Sequence, residues 1–145
     1  MTGEFCIAVH ALVLLHHKGA ILSSEAIAAN VCTNPARIRK VMAKLKRADL
    51  VVTREGSEGG YASQGDPAKI TLRQVCNAVE ARMVSSGWRS GGGDCECMIA
   101  SGMGQVMDGL YQRLDDCCMR ELETMTLRDV EKSLFARKGK GTTEP

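Results

Sequence analysis

The stretch from Asn34 to Ala48 restricts the fold of this chain more than any other part of it. Asn34 can accept bonds from the free N–H groups of a helix start, and Pro35 at the first helical position forfeits no bond it would have made. Ile38, Val41, Met42 and Leu45 then recur at i, i+3, i+4 and i+7, so one face belongs to a core. The opposite face carries Ala36, Arg37, Arg39, Lys40, Lys44 and Arg47. Such a helix lies on the surface of a domain, apolar side down and cations up.

Its neighbours give it a context. Glu4 to His17 has helical periodicity, with Phe5, Ala8, Leu12 and Leu15 on one face and Ile7, Ala11 and Leu14 widening it; Gly19 ends it. Ser24 reads as the N-cap of a short helix to Val31 that buries Ile27 and Val31, followed by a Cys32-Thr33 turn into the basic helix. Beyond it, Leu50 to Arg54 is a short β-branched strand, Gly56-Ser57-Glu58-Gly59-Gly60 a turn, and Tyr61-Ala62 the start of a return strand. Helix, short helix, turn, basic helix and hairpin make a winged helix-turn-helix.

The remainder reads as helices in another role. Gln64 to Lys69 is a connector. Thr71 with Gln74 forms a capping box for a helix with Leu72, Val75 and Val79 inward, and Ser85 to Gly93 is Gly/Ser-rich and expected to be mobile. A long helix is predicted from Met98 to Leu122. Met103, Met107, Leu110, Leu114 and Cys117 recur in it at spacings of 4, 3, 4 and 3, the pattern of a coiled-coil seam and of a homodimer interface. Thr126 and Asp129 open a last helix carrying Leu127, Val130 and Leu134, and Lys138 to Pro145 is a polar tail. The expected fold is therefore mainly α: a winged helix-turn-helix with a long C-terminal dimerisation helix. Residues 1–66 form the DNA-binding domain, 67–137 the effector and dimerisation helices, and 138–145 a flexible tail.

Composition narrows the function. The chain has 145 residues, 44% apolar and 25% charged, with a formal net charge of +2, which fits one folded domain rather than a disordered chain. Its longest apolar run, Ile7 to Leu15, is interrupted by His10 and is far too short to span a membrane. With no basic region before that run and no cleavage site after it, a cytoplasmic protein is expected. The charge is unevenly placed: 34–47 holds six bases and no acid, whereas 94–135 holds nine acids against four bases. A basic patch on an otherwise acidic chain points to one polyanion site.

Arg37 and Arg39 have the donor geometry for guanine edges, Asn34 and Ala36 permit close approach, and Lys40, Lys44 and Arg47 suit phosphates. Arg54 and the glycine-rich turn make the wing. Ser24, Asn34, Ala36, Arg37, Arg39, Lys40, Lys44, Arg54, Ser57 and Tyr61 are the candidate contacts to double-stranded DNA. Two-fold symmetry would give a pseudo-palindromic operator.

Seven cysteines without an export signal read as thiols rather than a disulfide framework. Cys32, Cys76 and Cys117 read as small core or interface residues, while Cys6 and Cys118 fit either environment. Cys95 and Cys97 adjoin a glycine-rich run just before a helix N-terminus, which favours thiolate, although Asp94 and Glu96 oppose it. They are the candidate redox or effector site. C-x-C alone supplies too few sulfurs for a tetrahedral metal site. His10, His16 and His17 are assigned no chemistry. Trp88 reads as a buried anchor, or as the cover of an effector pocket.

In order and spacing the chain resembles the Rrf2 (BadM-type) family of winged-helix bacterial transcription regulators. The resemblance rests on Phe5-Cys6-Ile7-Ala8-Val9-His10-Ala11-Leu12, Ser24-Glu25-Ala26-Ile27-Ala28, Thr33-Asn34-Pro35 and Leu45-Lys46-Arg47-Ala48-Asp49-Leu50-Val51. It continues through Gly56-Ser57-Glu58-Gly59-Gly60-Tyr61, Asp66-Pro67 before Ile70-Thr71-Leu72, and Thr126-Leu127-Arg128-Asp129-Val130. It implies a homodimer with crossed long helices that reads DNA through Asn34, Ala36, Arg37, Arg39 and Lys40, with Arg54 near the wing. Iron–sulfur members carry three cysteines before the long helix. Here Cys97 matches the last, Cys95 lies two residues before it, and 80–94 contains none, a pattern similar to the cluster-free branch. Any metal or cluster would use Cys6, Cys95 and Cys97 across the dimer.

The leading expectation is a DNA-binding regulator, a repressor, tuned by thiol redox or ligation at Cys95/Cys97, with no bound cofactor. The alternatives are the same regulator with an iron–sulfur cluster or a small-molecule effector near Trp88, and a thiol oxidoreductase using Cys95, Cys97, Cys117 and Cys118.

Overall fold

A computed structural model of the protein describes residues 2–137; the expected tail, 138–145, lies outside them. The elements run α1 (Thr2–Lys18), α2 (Ser24–Val31), α3 (Pro35–Arg47), β1 (Val51–Arg54), β2 (Gly60–Ser63), α4 (Leu72–Ala78), α5 (Met98–Glu123) and α6 (Leu127–Ala136). The fold is mainly helical, with the wing as its small sheet.

Local chemistry sets most boundaries. Gly19 leaves α1 at φ 60, donating its N–H to the Leu15 carbonyl at 3.0 Å. Asn34 caps α3, its Oδ1 accepting the Arg37 N–H at 2.8 Å, and Pro35 occupies the first turn. Thr71 with Gln74 and Thr126 with Asp129 form complete capping boxes at α4 and α6. One cap differs from the sequence reading. Ser23, not Ser24, caps α2, its Oγ accepting the Ala26 N–H at 3.1 Å. Ser24 is the first helical residue and is buried, with its hydroxyl turned toward α3.

β1 and β2 pair antiparallel with Val51 opposite Ser63 and Arg54 opposite Gly60. Leu22 adds a bridge outside β2, exchanging both backbone bonds with Tyr61 at 2.8 and 2.9 Å. Gly60 makes this approach feasible, because a Cβ there would run into the Leu22 carbonyl.

A single buried cluster joins Ile7, Leu12 and Leu15 of α1 to Ile27 of α2, to Ile38, Val41, Met42 and Leu45 of α3, and to Val51, Ile70, Val75 and Leu127. It spans both sides of residue 66, so the residues before and after that point share one core. Leu72 donates to the Met125 carbonyl (2.8 Å) and Leu127 to the Ile70 carbonyl (3.0 Å). These bonds bring the chain after α5 back beside α4, and α6 packs on α1.

The long helix α5 meets its own domain along a partly polar line. Gly104 and Asp115 are buried, and Met107, Tyr111, Cys118 and Leu122 half-buried, at roughly helical spacing. Residues 79–97 between α4 and α5 contain no helix or strand. Trp88, read as a buried anchor, is 76% exposed, and its backbone is held by Ser86, whose Oγ donates to the Trp88 carbonyl at 2.8 Å.

Candidate nucleic-acid interface

The packing of α3 dictates which of its residues face outward. With Ile38, Val41, Met42 and Leu45 fully buried, 100° steps put Ala36, Lys40, Ala43 and Arg47 along the outermost line. All four are exposed. Two are alanines, so the ridge is low between two cations. Arg39 and Lys46 flank it on one side, Arg37 and Lys44 on the other.

The flanking cations are not equally available. Glu4 of α1, with its side chain 14% exposed, takes Lys44 Nζ on Oε2 at 2.7 Å and Lys40 Nζ on Oε1 at 3.0 Å. The Lys44 and Lys40 ammonium groups hold the Glu4 carboxyl down at about 2, against 4.5 ordinarily. Lys44, expected to meet phosphate, is only 18% exposed and also donates to the Val79 carbonyl at 3.4 Å. Its charge is used within the domain, and it takes no place on the outer face. Lys40 remains 66% exposed despite its pair.

Arg39 donates from Nη1 to Ser24 Oγ at 3.1 Å and lies 3.6 Å from Glu25, so Ser24 acts behind the arginine rather than at the surface. Arg37 lies over Gly3, where an added Cβ would come within 3.0 Å of Nη2. Arg37, Lys46, Arg47 and Arg54 have no acidic partner among the described residues. Asn34 and Ser57 are exposed at the helix start and on the wing. Tyr61 is half-buried against the core and serves the hairpin more than its surface. Ala43 and Lys46 were outside the candidate set, yet the 100° rule applied to the four core residues places both; Arg47, assigned to phosphate from sequence, lies at the centre of the face.

Cys32, read as a core or interface residue, is exposed, because it closes α2 in the left-handed region at φ 65 and ψ 50. Cys117, read likewise, is also exposed within one chain, with Arg120 Nη2 2.9 Å from its sulfur. Cys76 is buried as expected, and burial raises its thiol pKa. Cys95 and Cys97 are both exposed, and Cys97 is the N-cap of α5. It forms no side-chain cap bond, yet the Ala100 and Ile99 N–H groups face the sulfur and lower its thiol pKa. The preceding loop is pinned to that helix start: Gly92 donates to the Ala100 carbonyl at 3.0 Å, and Gly91, at φ 72, leaves no room for a Cβ beside it.

Among the described residues no three His, Cys, Asp or Glu side chains come together to hold a metal. Cys95 and Cys97 supply two sulfurs, short of the four ligands of an iron–sulfur cluster, so one chain does not assemble such a site alone.

The α5 residues proposed for a seam divide. Met103, Leu114 and Cys117 are exposed, and Met107 and Leu110 half-buried. Ile99 (70%) and Val106 (67%) extend the same apolar stripe. Across the domain, Phe5, Cys6, Val9, Leu14 and Val130 line an apolar groove of about 600 Å³ between α1 and α6.

The profile of the family described as "Rrf2: Iron-dependent Transcriptional regulator" matches residues 1–133. The chain belongs to this family. YwnA of Bacillus subtilis (strain 168), named as an HTH-type transcriptional regulator, is 28% identical over 135 residues, covering 93% of this chain and 99% of YwnA. The crystal structure of a transcriptional regulator from Lactobacillus plantarum superposes with a TM-score of 0.83 at 20% identity, covering 93% of this chain and 91% of that one. CymR (YrzC), the global cysteine regulator of B. subtilis, matches with a TM-score of 0.64 at 20% identity over 90% and 94% of the two chains. At such identities the structures establish the winged-helix regulator fold. Membership of the Rrf2 family makes the protein a transcriptional regulator and sets aside the thiol-oxidoreductase reading. No helix among the described residues is long and apolar enough to cross a membrane.

Proposed function

We propose that the protein is a cytoplasmic, homodimeric repressor that binds a pseudo-palindromic duplex through α3 and the wing. The observation that carries the reading is the outer line of α3, where Ala36 and Ala43 flank Lys40 and precede Arg47, beside unpaired Arg37 and Arg54. The alanines allow the helix axis close to base edges, and the cations reach the backbone on either side. Arg37 and Arg39 are the base-reading candidates; Arg39 is held in place by Ser24 and Glu25, which fixes the fork before DNA arrives. Lys40, Lys46, Arg47 and Arg54 neutralise phosphates. Charge reversal of Arg37 and Arg39 together should abolish operator binding in a gel shift while far-UV circular dichroism stays unchanged. Wild-type affinity should also fall steeply between about 50 and 200 mM salt, in proportion to the phosphates neutralised. Undiminished binding by the double variant would refute the assignment.

Two apolar surfaces that one chain leaves uncovered support the dimer: the α5 stripe and the groove between α1 and α6. A second copy can cover both by isologous contact, and obligate dimers bury such faces. Val106→Asp with Leu114→Asp should convert the protein to a monomer in light scattering and weaken operator binding.

Cys97 is the proposed point of control, with Cys95 beside it. Its lowered thiol pKa, its exposure and its position at the first turn of α5 favour oxidation or ligation there, which would move the start of the dimer helix and so the spacing of two reading heads. A Cys95→Ser, Cys97→Ser variant that still lost operator affinity on oxidation would overturn this part alone.

A further inference from the structure

Arg37 and Arg39 stand on opposite flanks of the outer line of α3, and their surroundings differ in charge. Arg37 has no acidic partner among the described residues, nor have Lys46, Arg47 and Arg54. Arg39 has one. Glu25, in the first turn of α2, places Oε1 3.6 Å from Arg39 Nη1, and Ser24 Oγ accepts a hydrogen bond from the same nitrogen at 3.1 Å. Ser24 is 8% exposed and donates its own hydrogen to Glu25 Oε2 at 3.2 Å, so its lone pairs are what it offers the guanidinium. The three side chains close a polar triangle between α2 and α3.

Stability is a poor account of this triangle. The Arg39 and Glu25 side chains are 54% and 70% exposed, and an ion pair in that setting adds little to a fold. Its consequence lies in what Arg39 presents. Both contacts engage Nη1. Nε and Nη2, whose N–H bonds run parallel along the other edge of the guanidinium, have no partner among the described residues. That edge is a two-donor fork whose charge is already matched by Glu25. A phosphate approaching it meets a carboxylate nearby and gains little Coulomb energy. The O6 and N7 acceptors of guanine carry no net charge, so they take both bonds without that repulsion. A guanidinium with an unmatched charge does the opposite and favours the phosphate.

We infer that Ser24 and Glu25 are specificity-determining residues of the DNA site: by orienting and neutralising Arg39 they make it a reader of guanine rather than a phosphate clamp. Neither touches the base; both are positioning residues that act through Arg39. The inference rests on the DNA-binding reading above and narrows it. One guanine in each half-site belongs to Arg39, and phosphate contact belongs to the other cations.

The test uses the full-length protein, an operator selected from a randomised duplex library, and a random duplex of equal length at the same salt. Each operator guanine is replaced in turn by 7-deazaguanine, which removes the N7 acceptor and keeps O6. One guanine per half-site is expected to lose about fivefold or more in wild-type affinity, the low end for a bidentate base contact. Arg39→Lys, which has no fork, should lose that sensitivity at that guanine. Glu25→Gln should bind random duplex more tightly and the operator no better, so the ratio of the two affinities falls by about fivefold or more, the worth of the guanine contact. Its salt slope should steepen by about one as Arg39 joins the phosphate contacts. Ser24→Ala should lower the ratio in the same direction. A role confined to holding α2 on α3 would weaken binding to both duplexes together and leave ratio and slope unchanged. That result would overturn the inference, as would a selected operator with no sensitive guanine, or sensitivity retained in Arg39→Lys. Wild type that binds no duplex at all sinks the DNA reading with it, whereas operator binding without a sensitive guanine sinks only the Arg39 assignment.

Discussion

Replacing Glu4 by Gln should weaken the fold and strengthen nonspecific DNA binding. Among the described residues Glu4 is the one acid that holds two cations of α3, at 2.7 and 3.0 Å, and its carboxyl pKa lies at about 2 instead of 4.5. A depression of that size corresponds to at most roughly 3 kcal/mol of preference for the charged, folded form. Lys40 is 66% exposed, so solvent screens its half of the interaction, and about 1–2 kcal/mol is a fairer expectation. Because the folded pKa is the lower one, the unfolded chain binds more protons between pH 4.5 and 2. The contribution is complete above about pH 5, declines as the pH falls through that window, and is gone below 2.

Thermal unfolding at fixed protein concentration should therefore give a Tm several degrees lower for E4Q at pH 7, and a smaller difference at pH 3. In the DNA assay the same change releases Lys40 and Lys44 from their carboxylate. Affinity for random duplex should rise, and the slope of log K against log salt should steepen by about one to two. The two effects have opposite signs, which a general loss of structure would not produce. Equal Tm for wild type and E4Q at pH 7, or an unchanged salt slope, would refute the reasoning.

Met42→Ala removes a fully buried side chain beneath the reading helix and should cost about 2–5 kcal/mol, measured by urea denaturation, with most operator binding lost. Asn34→Ala deletes the α3 cap and should lower stability by about 1 kcal/mol, with a larger fractional loss of operator affinity because the cap sits at the DNA-facing end. Cys32→Gly should raise Tm slightly, by up to about 1 kcal/mol of stability, since it relieves a left-handed residue at φ 65.

What the sequence made legible is what local chemistry decides. Asn34-Pro35 and the 3.6-residue spacing of Ile38, Val41, Met42 and Leu45 located α3 to within a residue, the Thr71–Gln74 capping box formed as read, and Thr126 with Asp129 opened α6 as expected. The hairpin followed from Gly56 to Gly60. Ser23 and Ser24 are equal candidates for a cap until Arg39, fifteen residues on, draws the second one inward. Lys44 looked like its neighbours because its partner, Glu4, lies forty residues earlier and meets it only through packing. The α5 spacing put Met103, Met107, Leu110 and Leu114 on one apolar stripe, but nothing in it showed that Asp115 would turn into the domain, since a buried carboxylate is tolerable only where the Met83 and Val84 N–H groups meet it. Trp88 failed for the converse reason: a large aromatic is buried only where the fold supplies a cavity.

The structural weight of α1 follows from the same contacts. Its buried residues, Ala8, Ala11, Leu12 and Leu15, seat it rigidly in the core, and its two ends of contact differ in chemistry. Glu4 grips α3 through charge, whereas Phe5, Cys6 and Val9, within the next turn and a half, face the apolar groove. A close-packed helix does not absorb a displacement locally. On the dimer reading proposed above, a second copy seated in the groove would bear, through about one turn of α1, on the Glu4 carboxylate that holds Lys40 and Lys44. Docking and phosphate contact are then expected to be coupled, and Val9→Asp should change the salt slope of duplex binding as well as the oligomeric state; a salt slope unchanged in a monomeric V9D variant would refute the coupling.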